Sequence, residues 1–255
     1  MRLFLPPPID AAARPVALSI VIPCYNEVGN LVMLLDRCRH AIGSRTDIEV
    51  IFVDNGSTDD TPRVLPALLT APRDQFGRMV RVPTNVGYGH GIMAGVRAAR
   101  GRAIAWTHAD LQTDIVDVTE AFERWVHSAN PQRTLVRGRR VGRPLLDALF
   151  TVGMSLISAA ALGMWLDNIN AQPKLFPRAF VAELTTPPDD FALDLYTLYI
   201  ARGAGYTIIE HDVNFGKRVA GEAKGGASLK LKWHLSKRTF AYICRLRAAL
   251  RDRAS

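Results

Sequence analysis

The chain has 255 residues, 48% of them hydrophobic, which suits one α/β domain with an appendage and supplies enough apolar side chain for a full core. Its 32 Lys and Arg outnumber 24 Asp and Glu for a net charge of +8, and the excess sits at the end, where residues 217–253 carry 11 basic side chains against Glu222 and Asp252. Cys24, Cys38 and Cys244 make neither a disulfide framework nor a zinc spacing and fit a reducing compartment; the apolar stretch at residues 3–5 is too short for a signal peptide.

Residues 1–17, with Pro6, Pro7, Pro8 and Pro15, read as a flexible N-terminal arm. Residues 18–23 are a first strand stopped by Pro23, and a loop through Tyr25 and Glu27 leads to a helix ending near residue 42. That helix has Val28, Leu31, Leu34, Leu35 and Cys38 on its inner face. A second strand, 48–53, ends at Asp54, and Asn55-Gly56-Ser57-Thr58-Asp59 turns into the next helix. A third strand, 79–82, precedes Asn85-Val86-Gly87-Tyr88-Gly89-His90-Gly91, which opens a helix to about residue 100. The fourth strand, 103–106, stops abruptly in Thr107-His108-Ala109-Asp110-Leu111-Gln112; a helix over 116–126 and a strand at 134–136 follow. Strands alternating with helices of ten to fifteen residues predict a mostly parallel sheet with helices on both faces.

In such sheets ligands bind beyond the carboxyl ends of the strands. Four strand ends here are polar or Gly-rich: Tyr25/Glu27, Asp54/Ser57, Asn85 to Gly91, and His108/Asp110/Gln112. Asp110 alone reads as a cap of the next helix rather than a ligand, and the glycines as a tight turn or a phosphate cradle. Carboxylates at several adjacent strand ends shift the balance toward a site, because an unsolvated carboxylate is costly without partners. A carboxylate and an amide oxygen suit Mg²⁺ or Mn²⁺, and imidazole suits the softer Mn²⁺ better.

Beyond the basic run at 137–143, residues 148–166 are uncharged over 19 positions, long enough to span a membrane. A span there would put Asp110 and Asp194 on opposite sides of the bilayer, so 144–166 is read as a core helix or as a helix lying on a membrane surface. Lys174, in a polar stretch between apolar runs, is either a phosphate ligand or a surface lysine. Asp190 and Asp194 precede a helix to about residue 201, and 205–213 is a closing strand. The tail from Leu229 sets Trp233, Phe240, Ile243, Leu246 and Leu250 among Lys and Arg, the pattern of a membrane-surface helix or of one packed on the domain.

Ser19-Ile-Val-Ile-Pro-Cys-Tyr-Asn-Glu27, Val53-Asp-Asn-Gly-Ser-Thr-Asp59, Asn85-Val-Gly-Tyr-Gly and Ala109-Asp-Leu-Gln112 together resemble the family 2 glycosyltransferases of GT-A fold, in particular the polyprenyl-phosphate, dolichol-phosphate mannosyltransferase-like branch. The resemblance covers about residues 17–220. It implies a GT-A domain over 18–215, with 144–166 a membrane-interface helix and 216–255 a basic C-terminal segment. It implies that Pro23, Tyr25, Glu27 and Asp54, with Ser57, Asn85 and Gly87, bind a nucleotide-diphosphate sugar. Asp110 and Gln112 would hold Mg²⁺ or Mn²⁺ on the diphosphate, and Asp194 matches an acidic residue near the acceptor. Arg218 and Lys224 match basic residues that reach phosphates, with Lys174 a weaker candidate. The family usually has Asp-Ala-Asp-Leu-Gln; here His108 stands in place of the first carboxylate.

The expectation is an inverting, metal-dependent transferase acting on a polyprenyl phosphate, peripheral on the cytosolic membrane face. A soluble or glycan hydroxyl acceptor, and a non-catalytic nucleotide-sugar-binding protein, are the alternatives. Nucleic acid is not expected as a partner, since no recognition motif accompanies the basic tail.

Overall fold

The computed structural model describes residues 15–141, 164, 168–214, 240, 242 and 243. In order, the elements are β1 (Leu18–Cys24), α1 (Leu31–Ile42), β2 (Ile48–Asn55), α2 (Thr61–Leu68), β3 (Gly77–Val82), α3 (Tyr88–Ala98), β4 (Ala103–Trp106), α4 (Val116–Val126), β5 (Thr134–Val141), β6 (Lys174–Pro177), α5 (Leu193–Gly203) and β7 (Thr207–Asn214). The strands form one sheet in the order β3-β2-β1-β4-β6-β5-β7. Every pairing is parallel except the two that β6 makes, with β4 and β5.

The continuous apolar runs of β1, β2 and β4 are explained by burial on both faces. Successive side chains point to opposite sides, so Ile20, Ile22, Val50, Phe52 and Ala105 join one core with α1 and α4, while Val21, Ile51, Val53, Ile104 and Trp106 join a second with α3 and α5. At the N-terminal ends of the strands, buried Glu49 accepts from Ser19 Oγ (2.6 Å), the Arg100 backbone N–H (2.7 Å) and Arg78 Nε (3.1 Å). Burial alone would raise the Glu49 pKa, but these hydrogen bonds and the neighbouring guanidinium charges hold it below the ordinary value. That edge is sealed.

The structure departs from the sequence reading in four places. Val16 and Ala17, assigned to the arm, already join the sheet: the Arg102 N–H donates to Val16 O (3.1 Å) and the Ala103 N–H to Ala17 O (2.9 Å). Val28 precedes α1 and is exposed rather than on its inner face. β5 continues to Val141 through the basic run, because Arg137 and Arg139 lie opposite Glu210 and Asp212 of β7 and pair with them. Residues 174–177, beginning at the Lys174 that the sequence set in a polar stretch, are the antiparallel strand β6. No periodicity marks a strand of four buried residues.

The helix expected over 144–166 and the segment holding Arg218 and Lys224 lie outside the described residues, apart from Met164. Among the described residues no helix is long and apolar enough to cross a membrane. In the tail, Ile243 is fully buried in the second core and Tyr242 packs against it, whereas Phe240 is half exposed, so at this point the tail packs on the domain.

Candidate active site

The loops at the carboxyl ends of the strands are joined by a continuous series of contacts. Asn26, after β1, uses its backbone N–H on Ser57 Oγ (3.1 Å) and its amide on Thr58 Oγ1 (3.1 Å), while the Glu27 N–H reaches Thr61 Oγ1 (3.1 Å). Gly56, at φ 70°, sits where a Cβ would lie 2.3 Å from the Asn85 backbone nitrogen, so the loop after β2 and the one after β3 touch main chain to main chain. Asn55 Nδ2 donates to Gly87 O (3.0 Å). Gly87 has φ 152°, and a Cβ there would come within 2.2 Å of Asp189 O. Gly87 and Gly89 thus admit the backbone of residues 188–190, which leads into α5, a close main-chain approach that the sequence did not show. The ring of Tyr88 stacks on Phe191 (4.6 Å between centroids) and lies 5.6 Å from that of His108.

Asp54, next to last in β2, is fully buried. Its Oδ1 accepts from the Ser57 N–H at 3.0 Å, but Oδ2 accepts no hydrogen bond, and Arg81 Nε stands 3.6 Å away. A buried carboxylate oxygen without a donor is costly in the free protein and ready for one from a ligand.

Asp110 is 8% exposed, and its Oδ1 accepts from the Gln112 N–H at 3.2 Å. Thr107 and Thr113, their hydroxyls 3.2 Å apart, close the base of this loop. His108 is half-buried; burial lowers its pKa despite the opposing pull of Asp110 and Asp194, so its imidazole is neutral at neutral pH. The donor set at the end of β4 is therefore a carboxylate, an amide and a neutral imidazole, which fits Mn²⁺ or Mg²⁺ with the softer ion favoured. The three non-glycine residues at positive φ among the described residues, Asn26, Leu111 and Asn168, all lie in these loops, where strained backbone tends to mark function.

Asp194 opens α5 at 1% exposure and is surrounded by donors. Trp106 Nε1 reaches Oδ1 at 3.2 Å, Gln172 Nε2 reaches both oxygens at 3.0 and 3.2 Å, and Lys174 Nζ lies at 3.6 Å. The same Gln172 nitrogen is 3.1 Å from the Tyr88 hydroxyl, which ties α3, β4, the 168–173 loop and α5 together. Lys174 itself is fully buried, donating to Ile169 O (2.8 Å) and Ala171 O (2.6 Å). Burial lowers its pKa to about 8 against the attraction of Asp194. This geometry holds a loop and does not fit the phosphate contact expected of Lys174. Gln172, Trp106 and Tyr88 were missed as site residues. Trp106 read as core, and nothing in the pattern singled out Gln172 beyond its polarity.

The sequence model of glycosyl transferase family 2 matches residues 19–133. An uncharacterized glycosyltransferase of Mycobacterium tuberculosis is 28% identical over 219 residues, covering 84% of this chain and 92% of that protein. An undecaprenyl-phosphate 4-deoxy-4-formamido-L-arabinose transferase of Yersinia pestis is 36% identical over 136 residues, 52% of this chain and 39% of that longer protein. Among solved structures, glucosyl-3-phosphoglycerate synthase from Mycobacterium tuberculosis in complex with Mn²⁺, uridine diphosphate and phosphoglyceric acid superposes with a TM-score of 0.67 at 20% identity, over 91% of this chain and 78% of the other. The sheet, its helices on both faces and the strand-end loops are those of the GT-A fold, and residues 19–133 match the sequence model of glycosyl transferase family 2.

Proposed function

We propose that the chain transfers a sugar, with inversion, from a nucleotide-diphosphate sugar to a polyprenyl phosphate, at the cytosolic face of a membrane to which it binds peripherally. The observation that carries the donor half is Asp54, a fully buried carboxylate near the carboxyl end of β2 whose Oδ2 accepts no hydrogen bond among the described residues and has the Arg81 guanidinium 3.6 Å away, where a base or ribose would supply a donor. Tyr25 and Glu27 beside it, with Ser57 and Asn85, complete the nucleotide side. Gly87 contributes indirectly, by letting residues 188–191 dock and fix Tyr88.

Asp110, Gln112 and His108 are the residues that would hold the divalent ion, as the complex of the synthase with Mn²⁺ and uridine diphosphate supports. When bound, that ion offsets the charge that grows on the diphosphate as the glycosidic bond breaks. The acceptor oxygen approaches the anomeric carbon from the side opposite the departing diphosphate. Asp194, fixed by Trp106 and Gln172, lines the acceptor side. A phosphate monoester is largely ionised at pH 7, so it needs little deprotonation by Asp194. Arg218 and Lys224 are proposed to grip that phosphate, and Lys174 to hold the 168–173 loop.

The lipid acceptor is supported by the Yersinia relative, whose name specifies undecaprenyl phosphate. A soluble acceptor is the second reading, supported by the complex of the synthase with phosphoglyceric acid. Incubation of purified protein with Mn²⁺, a panel of nucleotide sugars and either a short-chain polyprenyl phosphate or 3-phosphoglycerate separates them. Transfer to the lipid alone, with flotation on anionic liposomes, is expected. Transfer only to the soluble acid would replace the lipid reading. Nucleotide-sugar binding without transfer or hydrolysis would make the protein a binder.

A further inference from the structure

Where α4 packs on β7 stand Asp117, Glu120 and His211. Each offers a ligand atom within 4.8 Å of the others. Asp117 and Glu120 are three residues apart on α4 and so share a face, and His211 projects from the edge strand β7, opposite Gly138 of β5. Two carboxylates and a histidine on a surface are common and by themselves mean little. Here the histidine is buried, at 4% exposure, and neither ring nitrogen makes a hydrogen bond.

The distances give this its meaning. His211 Nε2 is 3.5 Å from Glu120 Oε2 and 3.9 Å from Asp117 Oδ1 and hydrogen-bonds to neither. Ligand atoms about 2.0–2.2 Å from a four-coordinate metal lie about 3.3–3.6 Å from one another. Asp117 is also pre-oriented: its Oδ2 accepts from the Asp114 N–H at 3.1 Å, which turns Oδ1 toward the imidazole. Two oxygens and one imidazole nitrogen are a donor set for a first-row divalent cation of the Zn²⁺ type.

We propose that Asp117, Glu120 and His211 form a second divalent-cation site, separate from the donor site at the end of β4. Its remaining coordination positions face solvent beside exposed Glu120. The ion bridges α4 and β7, clamping the outermost strand to the helix layer. It gives the His211 ring a directional partner in place of the hydrogen bond it lacks among the described residues.

The test is titration of the full chain with Co²⁺, followed by NMR of the histidine rings. The His211 ring signals are expected to shift and broaden, in a saturable way, independently of those of His108, which report the β4 site separately. Zn²⁺ should raise the melting temperature. Glu120→Gln, at an exposed position where the fold has little at stake, should weaken the His211 response at least tenfold and abolish the Zn²⁺ shift. Asp117→Asn should do the same. If the His211 signals ignore millimolar Co²⁺, or Glu120→Gln titrates like the parent, there is no site. A metal-insensitive His211 ring with the shifts of an imidazolium at pH 7.5 would mean a plain ion pair, and would equally overturn the proposal.

Discussion

Trp106 and Asp194, the last residue of β4 and the second of α5, meet through a 3.2 Å hydrogen bond from the indole Nε1 to Oδ1. The indole is fully buried, so its donor has to be met inside the protein. The carboxylate in turn also needs the Gln172 amide and the nearby Lys174 ammonium. The wall proposed for the acceptor side is thus built into the core.

Asp194→Asn turns an NH₂ toward a ring of donors. It should cost about 1–3 kcal/mol of stability, seen as a fall in Tm. If the acceptor is an ionised phosphate, transfer should fall less in Asp194→Asn than in Arg218→Ala. Normal transfer by Arg218→Ala beside an inactive Asp194→Asn would point to a hydroxyl acceptor. Parallel kcat/KM measurements with a short-chain polyprenyl phosphate decide it.

Asp54→Asn should separate stability from binding. It preserves an oxygen for the Ser57 N–H and removes a buried charge whose Oδ2 accepts no hydrogen bond among the described residues, at the cost of the ion pair with exposed Arg81, so the free protein should change little in stability. Nucleotide affinity should fall about 10- to 100-fold, the loss of one charged hydrogen bond. Calorimetric titration with UDP and GDP measures it; unchanged affinity would remove Asp54 from the site.

Asp110→Asn should leave melting behaviour near that of the parent while abolishing the Mn²⁺-dependent part of nucleotide binding. His108→Asp restores the usual family motif and should move the preference from Mn²⁺ toward Mg²⁺, because an oxygen replaces a softer nitrogen. Calorimetry in each metal reads both effects. An unchanged metal preference in His108→Asp would leave His108 a bystander.

Lys174 predicts a pH effect on stability. Its folded pKa, about 8, lies below the unfolded value near 10.5, so between these values the unfolded chain binds the extra proton. Stability contributed at this residue therefore rises with pH across that window. The cost of burying the charged form is fully present below pH 8. Relative to Lys174→Met, the parent should gain about 2 kcal/mol between pH 7.5 and 9.5, at about 1.4 kcal/mol per unit. Urea unfolding at the two pH values measures the difference. A constant gap would mean that the ammonium titrates as in water.

The central half-sheet was legible because β1, β2 and β4 are buried on both faces and must be apolar throughout. Asp54 and Asp110 stood out because a carboxylate ending such a strand needs a reason. Gln172, Lys174 and β6 were not legible, since their meaning depends on where the chain returns after residue 141, and local pattern carries no information about that. Lys174 is the clearest case. A lysine reads as exposed, and only the carbonyls of Ile169 and Ala171 make its burial tolerable. The basic run at 137–140 misled for a similar reason, its partners Glu210 and Asp212 lying some seventy residues away.

The return of β6 has a consequence for synthesis. Trp106 pairs with Lys174 and Ala103 with Pro177, so one side of β4 finds its neighbour only after roughly seventy more residues have been made. At about 5–20 residues per second that is several seconds during which a flat apolar strand edge stands open on the ribosome. β5 is made earlier but cannot take the place, because it reaches β4 only through β6. A fragment ending at residue 133 would contain the whole family match and still lack the strand that closes it. The boundary of the recognisable sequence is therefore not the boundary of the unit that folds.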